Sequence, residues 1–146
     1  MTEPATYKEK FDNLKVCVII PTYNNEKSLA AVIEAVHAYT NHIIVVNDGS
    51  TDNTGSIISS YAYVQPISYA NNRGKGWALR TAFRHAYQKG YEYAITIDSD
   101  GQHFASDLPA FIDKLEEEKN AIIIGARNMD QASVPGGSSF GNKFSN

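Results

Sequence analysis

The 146-residue chain is 42% hydrophobic and 20% charged, close to the averages of packed domains, which excludes disordered and fibrous classes, and its length suits one domain. A formal charge of −3 with scattered Lys and Arg lacks the basic footprint of a nucleic-acid binder. The single cysteine, Cys17, excludes an internal disulfide and fits a reduced, cytoplasmic compartment, and no window holds the ~20 apolar residues of a membrane-spanning helix.

Residues 1–14 mix Glu, Lys, Asp and Thr without an apolar stretch, which predicts a polar arm and neither a signal peptide nor an anchor. Residues 16–20, VCVII, are a continuous apolar run closed by Pro21, the pattern of a strand buried on both faces. Over 28–39 the apolar positions recur at helical spacing, with Ser28 placed to cap the helix. A second buried strand is predicted over 42–46, followed by the turn sequence NDGS and a short helix near 51–61. Residues 64–69 form a weaker strand candidate, and NNRGKG after them is too polar and glycine-rich for the interior of an element. Residues 77–89 put Ala78, Leu79, Ala82, Phe83 and Ala86 on one side of a helix, with Gly90 where a C-terminal cap belongs. A strand over 93–97, a helix over 106–118 and a fifth strand over 121–125 complete the alternation. The fold class is therefore α/β, a mostly parallel sheet with helices on both faces, in which ligands bind beyond the carboxyl ends of the strands.

Chemistry-bearing residues gather at those ends. Asp98 and Asp100 follow a strand with one residue between them. Extended backbone would send their carboxylates to opposite sides, and Gly101 makes a turn that reunites them plausible. Two carboxylates in one tight loop repel, and Mg²⁺ or Mn²⁺ with a bound diphosphate would relieve that repulsion; the alternative is a pair that caps the next helix or faces solvent. Asp48 could accept N–H bonds from a planar base or be a turn aspartate satisfied by Gly49 and Ser50. Tyr23 could stack on a base or simply pack. Lys75, between Gly74 and Gly76 at a helix start, suits a phosphate or is a solvated lysine. Arg127 is set to contact a phosphate or to lie exposed. His103 reads more simply as a backbone-bonded histidine than as a ligand.

Five blocks in order, VCVIIPTYNN (16–25), IIVVNDGSTD (43–52), NRGKGWAL (72–79), DSDGQHFASDLPAF (98–111) and IIIGAR (122–127), resemble the family-two glycosyltransferases, especially the dolichol-phosphate mannose or glucose synthase-like branch. The resemblance implies a GT-A fold with a Rossmann-like nucleotide-binding part and an inverting transfer from a UDP- or GDP-linked sugar, often to a polyprenyl phosphate. It also implies association of the full-length protein with the inner face of a membrane. Pro21, Tyr23 and Asp48 match the family's base and ribose contacts and Asp98 a donor contact. Asp100 with Gln102 matches the metal position. Thr22, Asn25, Lys75 and Ser99 complete the expected donor-binding set, and Arg127 matches it loosely. Asn25 and Asn47 stand where this branch usually has Glu and Asp, which leaves the base open.

On this reading residues 15–146 are a nucleotide-sugar-binding domain incomplete at its C-terminal end, with the acceptor-side catalytic residues beyond it. The alternative is a nucleotide-sugar-binding module without turnover. A haloacid-dehalogenase-like phosphatase also starts from Asp-x-Asp-Gly, but there Thr usually follows, where this chain has Gln102, and the motif usually opens the domain.

Overall fold

The computed structural model describes residues 4–101 and 105–120. Its first helix, α1 (Pro4–Leu14), occupies the segment predicted as a polar arm, and it buries Tyr7 and Phe11. The correction has a simple cause. Tyr7 and Phe11 lie four residues apart, so one turn of helix aligns them on a single face, and two apolar residues suffice where a continuous run is absent.

Four strands follow: β1 (Val16–Thr22), β2 (Ile43–Asp48), β3 (Val64–Tyr69) and β4 (Tyr93–Thr96). They form one sheet in the order β3-β2-β1-β4, every pairing parallel, with Val18 beside Ile43 and Val16 beside Tyr93. The predicted α/β class and parallel sheet hold. β1 does not stop at Pro21, which sits in the ladder opposite Val46. The Val18 N–H bonds the His42 carbonyl, so by alternation the Pro21 nitrogen faces the β4 side, where the register ends at Ile19 and Thr96. A missing N–H there removes no ladder bond.

The connecting helices are α2 (Leu29–His37), α3 (Thr54–Ser59) and α4 (Lys75–Gln88). The chain steps outward from β1 to β2 to β3 and then returns across β1 to β4, so right-handed crossovers put α2 and α3 on one face of the sheet and α4 on the other. On the α4 face, Ala78, Ala82 and Ala86 pack on Cys17, Ile19, Ile44 and Val46. Each fully buried strand side chain contributes about 1.5–3 kcal/mol, and the small alanines let the helix lie close to the sheet. Gly90, at φ +90°, ends α4 as predicted: its N–H reaches the Tyr87 carbonyl and that of Tyr91 the Ala86 carbonyl, a pair of bonds that needs the left-handed conformation glycine adopts freely.

Contacts divide the chain into two compact units, Met1–Leu108 and Pro109–Asn146. The first holds the sheet and ends in a 3₁₀ turn, Ala105–Asp107. In the second, which holds all of α5 (Leu108–Glu117) after its first residue, a Lys114–Glu117 ion pair lies one turn apart at 3.6 Å. The predicted fifth strand and Arg127 lie outside the described residues.

Candidate functional site

All four strands run parallel, so their carboxyl ends share one edge of the sheet, and the loops leaving them build a cavity of about 300 Å³. Pro21, Thr22, Tyr23, Asn25, Asp48, Lys75, Asp98, Ser99 and Asp100 line it. Nine of the sequence-predicted positions thus come together in the first unit. Gln102 and Arg127, the other two, lie outside the described residues, as does His103.

The loop after β1 is stitched to the loop after β2 by Asn24. At φ +51° it adopts the left-handed backbone that asparagine tolerates. Its N–H donates to Ser50 Oγ at 2.9 Å, and its Oδ1 accepts the Thr51 N–H at 2.8 Å. The Asp52 N–H also reaches Asn24 Oδ1, at 3.3 Å, and the seam continues through Glu26 N–H to Asp52 Oδ2 at 3.2 Å and Asn53 N–H to Glu26 Oε2 at 3.1 Å.

Asp48, at the end of β2, is buried, and neither of the partners expected of a turn aspartate holds it. The Ser50 N–H goes instead to Asn47 Oδ1 at 3.1 Å. The Asp48 carboxylate reaches across to the loop after β3, accepting the N–H groups of Arg73 at 2.8 Å and Gly74 at 3.0 Å and the side-chain amide of Asn72 at 2.9 Å. Charge-assisted bonds of this kind are about twice as strong as neutral ones. They hold the backbone that delivers Lys75. Gly49 lies directly beneath this loop: at φ +72°, a Cβ on it would fall 2.3 Å from the Asn72 nitrogen.

The loop after β4 turns at Ser99 and Asp100, with Gly101 at φ +85°. That turn brings both Asp98 and Asp100 to the cavity, as anticipated for a chain that does not stay extended. Ser99 is the pin. It is buried, its Oγ accepts the Asn25 amide at 2.5 Å, and its carbonyl accepts the Ser28 hydroxyl at 2.6 Å. Ser28 stands at the N-cap of α2, yet its side chain makes no capping bond, because it is spent on positioning the acidic turn.

Three features give the cavity its chemistry. Lys75 Nζ forms an ion pair with Asp98 at 2.5 Å. The Thr22 hydroxyl is buried in the wall without a hydrogen-bond partner, an arrangement that natural proteins rarely leave unanswered. The Tyr23 ring is 45% exposed, so a flat apolar surface stands open beside the charged groups. Asn24, Asn72 and Gly74 escaped the sequence reading as site residues. The doubled asparagine of NNRGKG was a signal of turn chemistry, but nothing local in it points to an aspartate 24 residues away.

Residues 17–137 match the profile of glycosyl transferase family 2. The chain belongs to glycosyl transferase family 2. Among curated family members it is 32% identical over 130 residues to UDP-N-acetylglucosamine–dolichyl-phosphate N-acetylglucosaminyltransferase of Methanococcus voltae, covering 77% of this chain and 51% of that one. It is 31% identical over 142 residues to polyprenol monophosphomannose synthase of Mycolicibacterium smegmatis, covering 92% and 50%. The chain therefore spans about half the length of these curated relatives. In structure it is similar to glucosyl-3-phosphoglycerate synthase of Mycobacterium tuberculosis in complex with UDP, with a TM-score of 0.63 and 19% identity over 86% of this chain and 50% of that one. The fold is that of the GT-A glycosyltransferases, over the part of it that this chain spans.

Proposed function

We propose that the cavity binds a nucleotide-diphosphate sugar and that the chain is the donor-binding part of an inverting glycosyltransferase. The observation that carries this reading is the turn after β4, which brings Asp98 and Asp100 into the same cavity as Lys75. In this reading the exposed Tyr23 ring stacks on the base, and the unpartnered Thr22 hydroxyl bonds a polar group of the nucleoside. Lys75 exchanges Asp98 for a phosphate oxygen when the donor arrives. Asp48 already accepts three N–H groups from the 72–74 segment, so its first task is to set that loop, and only its remaining lone-pair capacity is left for a base.

The residues present fit a divalent cation. Asp98 and Asp100 are hard oxygen donors on one cavity, and among the described residues no cluster of three or more His, Cys, Asp or Glu side chains could cage a metal alone. This is the donor set of Mg²⁺ or Mn²⁺ held by one or two carboxylates and substrate phosphates. Asp100 would hold the ion, with Gln102 as the second expected position. When bound, it supplies Lewis-acid neutralisation of the departing diphosphate.

A polyprenyl phosphate is the acceptor class we favour, in line with the lipid-phosphate acceptors named in the M. voltae and Trichomonas vaginalis relatives. Such an acceptor is already ionised, so the reaction needs no general base to create its nucleophile.

Calorimetric titration with UDP and with GDP, each with and without Mn²⁺, tests the reading. Metal-dependent binding of one nucleotide supports it and names the donor class; no binding of either overturns it for this chain. The alternative reading is a nucleotide-sugar-binding module. Donor binding without sugar transfer when a polyprenyl phosphate is supplied would select that one.

A further inference from the structure

Helix α4 is built inside out with respect to size. Its sheet-facing stripe is alanine, at 78, 82 and 86, with Leu79 packed partly against the same core, while its large aromatic side chains face solvent: Trp77 and Phe83 are each 45% exposed and Tyr87 is 82% exposed. Trp77, Arg80, Arg84 and Tyr87 recur every third or fourth residue, so they form one stripe on the side of the helix away from the alanines. Phe83 flanks it. The Arg73 guanidinium sits 4.8 Å over the Trp77 ring, extending the stripe beyond the helix start.

The charge on this segment is equally one-sided. From Asn53 to Tyr91 the sequence carries Arg73, Lys75, Arg80, Arg84 and Lys89 and not one Asp or Glu, in a chain whose net charge is −3. Arg80, Arg84 and Lys89 are exposed. A purely electrostatic site for a soluble anion would not need three exposed aromatic rings, and an apolar protein interface would not gather Arg73, Arg80 and Arg84 on one face with no acidic residue among them. Both features together match an anionic bilayer surface. There aromatic rings lodge at the headgroup boundary, and each Arg or Lys gains from the negative surface potential.

We propose that the outer face of α4, centred on Trp77, Arg80, Phe83, Arg84 and Tyr87, docks the protein on membranes containing anionic lipid. The proposal rests on this surface and not on the donor reading. The stripe begins at Trp77, two residues after Lys75.

The test is co-sedimentation of the full chain with vesicles of phosphatidylcholine alone and of phosphatidylcholine mixed with phosphatidylglycerol. The expected result is binding to the mixed vesicles only, weakening as salt rises. The double variant Arg80→Glu/Arg84→Glu should reduce it by more than about tenfold, and Phe83→Ser/Tyr87→Ser should reduce it while leaving the net charge unchanged. None of these four residues lines the cavity, so far-ultraviolet dichroism and nucleotide titration of both variants should match the parent and exclude a folding defect. No binding to the mixed vesicles overturns the proposal. So does binding that both variants retain, or equal binding to single-stranded RNA, which would recast the face as a polyanion site.

Discussion

The Oδ1 atom of Asp48 accepts the backbone N–H of Arg73 at 2.8 Å, tying the end of β2 to the loop that presents Lys75. Removing that carboxylate strands the Arg73 and Gly74 N–H groups and leaves the Asn72 amide only the Asp48 carbonyl at 3.1 Å. With about 1–3 kcal/mol for a buried donor left unsatisfied, Asp48→Ala is expected to lose about 2 kcal/mol or more in urea unfolding and to weaken UDP or GDP binding in parallel. Asp48→Asn keeps one acceptor oxygen and should fall between. An unchanged unfolding midpoint for Asp48→Ala would remove the clamp.

Gly49 and Gly76 make a matched pair. A methyl on Gly49 meets the Asn72 nitrogen at 2.3 Å and is attached at φ +72°, whereas nothing lies within 4 Å of one on Gly76. Left-handed backbone alone costs a non-glycine residue roughly 1–2 kcal/mol, and here the 71–72 backbone must also move. Gly49→Ala should therefore destabilise by about 2 kcal/mol or more, while Gly76→Ala, in the first turn of α4, should be neutral or gain about 0.5–1 kcal/mol. Thermal unfolding of the two variants side by side measures the contrast. Equal shifts would mean that the 71–72 loop is not seated on Gly49.

The charge balance of the cavity separates binding from stability. The Lys75 side chain is 60% exposed, so its ion pair with Asp98 contributes at most about 1 kcal/mol to folding. Lys75→Ala should leave the unfolding midpoint nearly unmoved yet weaken nucleotide binding. Asp100→Ala should remove the increment in nucleotide affinity that Mn²⁺ confers, a larger effect. Nucleotide affinity that is the same with and without Mn²⁺ in the parent protein would sink the metal assignment at Asp100.

Cys17 lies in β1 under the alanine face of α4, and burial pushes its thiol from 9.0 up to about 12. The folded state thus resists the thiolate more than the unfolded state does. The stability this represents is fully present below about pH 9 and is lost as pH rises from there through about 12. The thiol should be inert to iodoacetamide at pH 8 in the native protein and react readily in denaturant. Native-state alkylation at the denatured rate would mean that α4 does not cover it.

Much of this architecture was legible because its strands are fully buried. VCVII and IIVV carry no polar residue, and only a central parallel strand tolerates that. The positions near the site were legible for the same reason: a strand's carboxyl end is where an α/β sheet places ligands, so Asp48, Asp98 and Asp100 could be located before their contacts were known. Their partners could not. Asp48 bonds residues 72–74 and Asn25 bonds Ser99, pairings set by the strand order β3-β2-β1-β4, and local sequence does not encode which loops that order makes neighbours. The N-terminal helix was hidden for another reason: two apolar residues among charged ones give too weak a period to stand out.

Those two residues make α1 testable. Phe11 is fully buried and Tyr7 nearly so, and Asp12 next to Phe11 is paired with His42 Nε2 at 2.5 Å. His42 also meets the Tyr91 hydroxyl at 2.9 Å, so the helix is fastened at the amino end of β2 and to the turn after α4. If α1 is part of the core, Phe11→Ala leaves a cavity under the helix and should cost about 3–5 kcal/mol, the range for removing a buried aromatic ring. Asp12→Ala, which removes only a largely exposed partner, should cost about 1 kcal/mol or less. The ratio of the two is what decides. A Phe11→Ala variant as stable as the parent would return residues 1–14 to the status of an arm, whereas a large loss confined to Phe11 shows that the chain needs this helix to close the sheet.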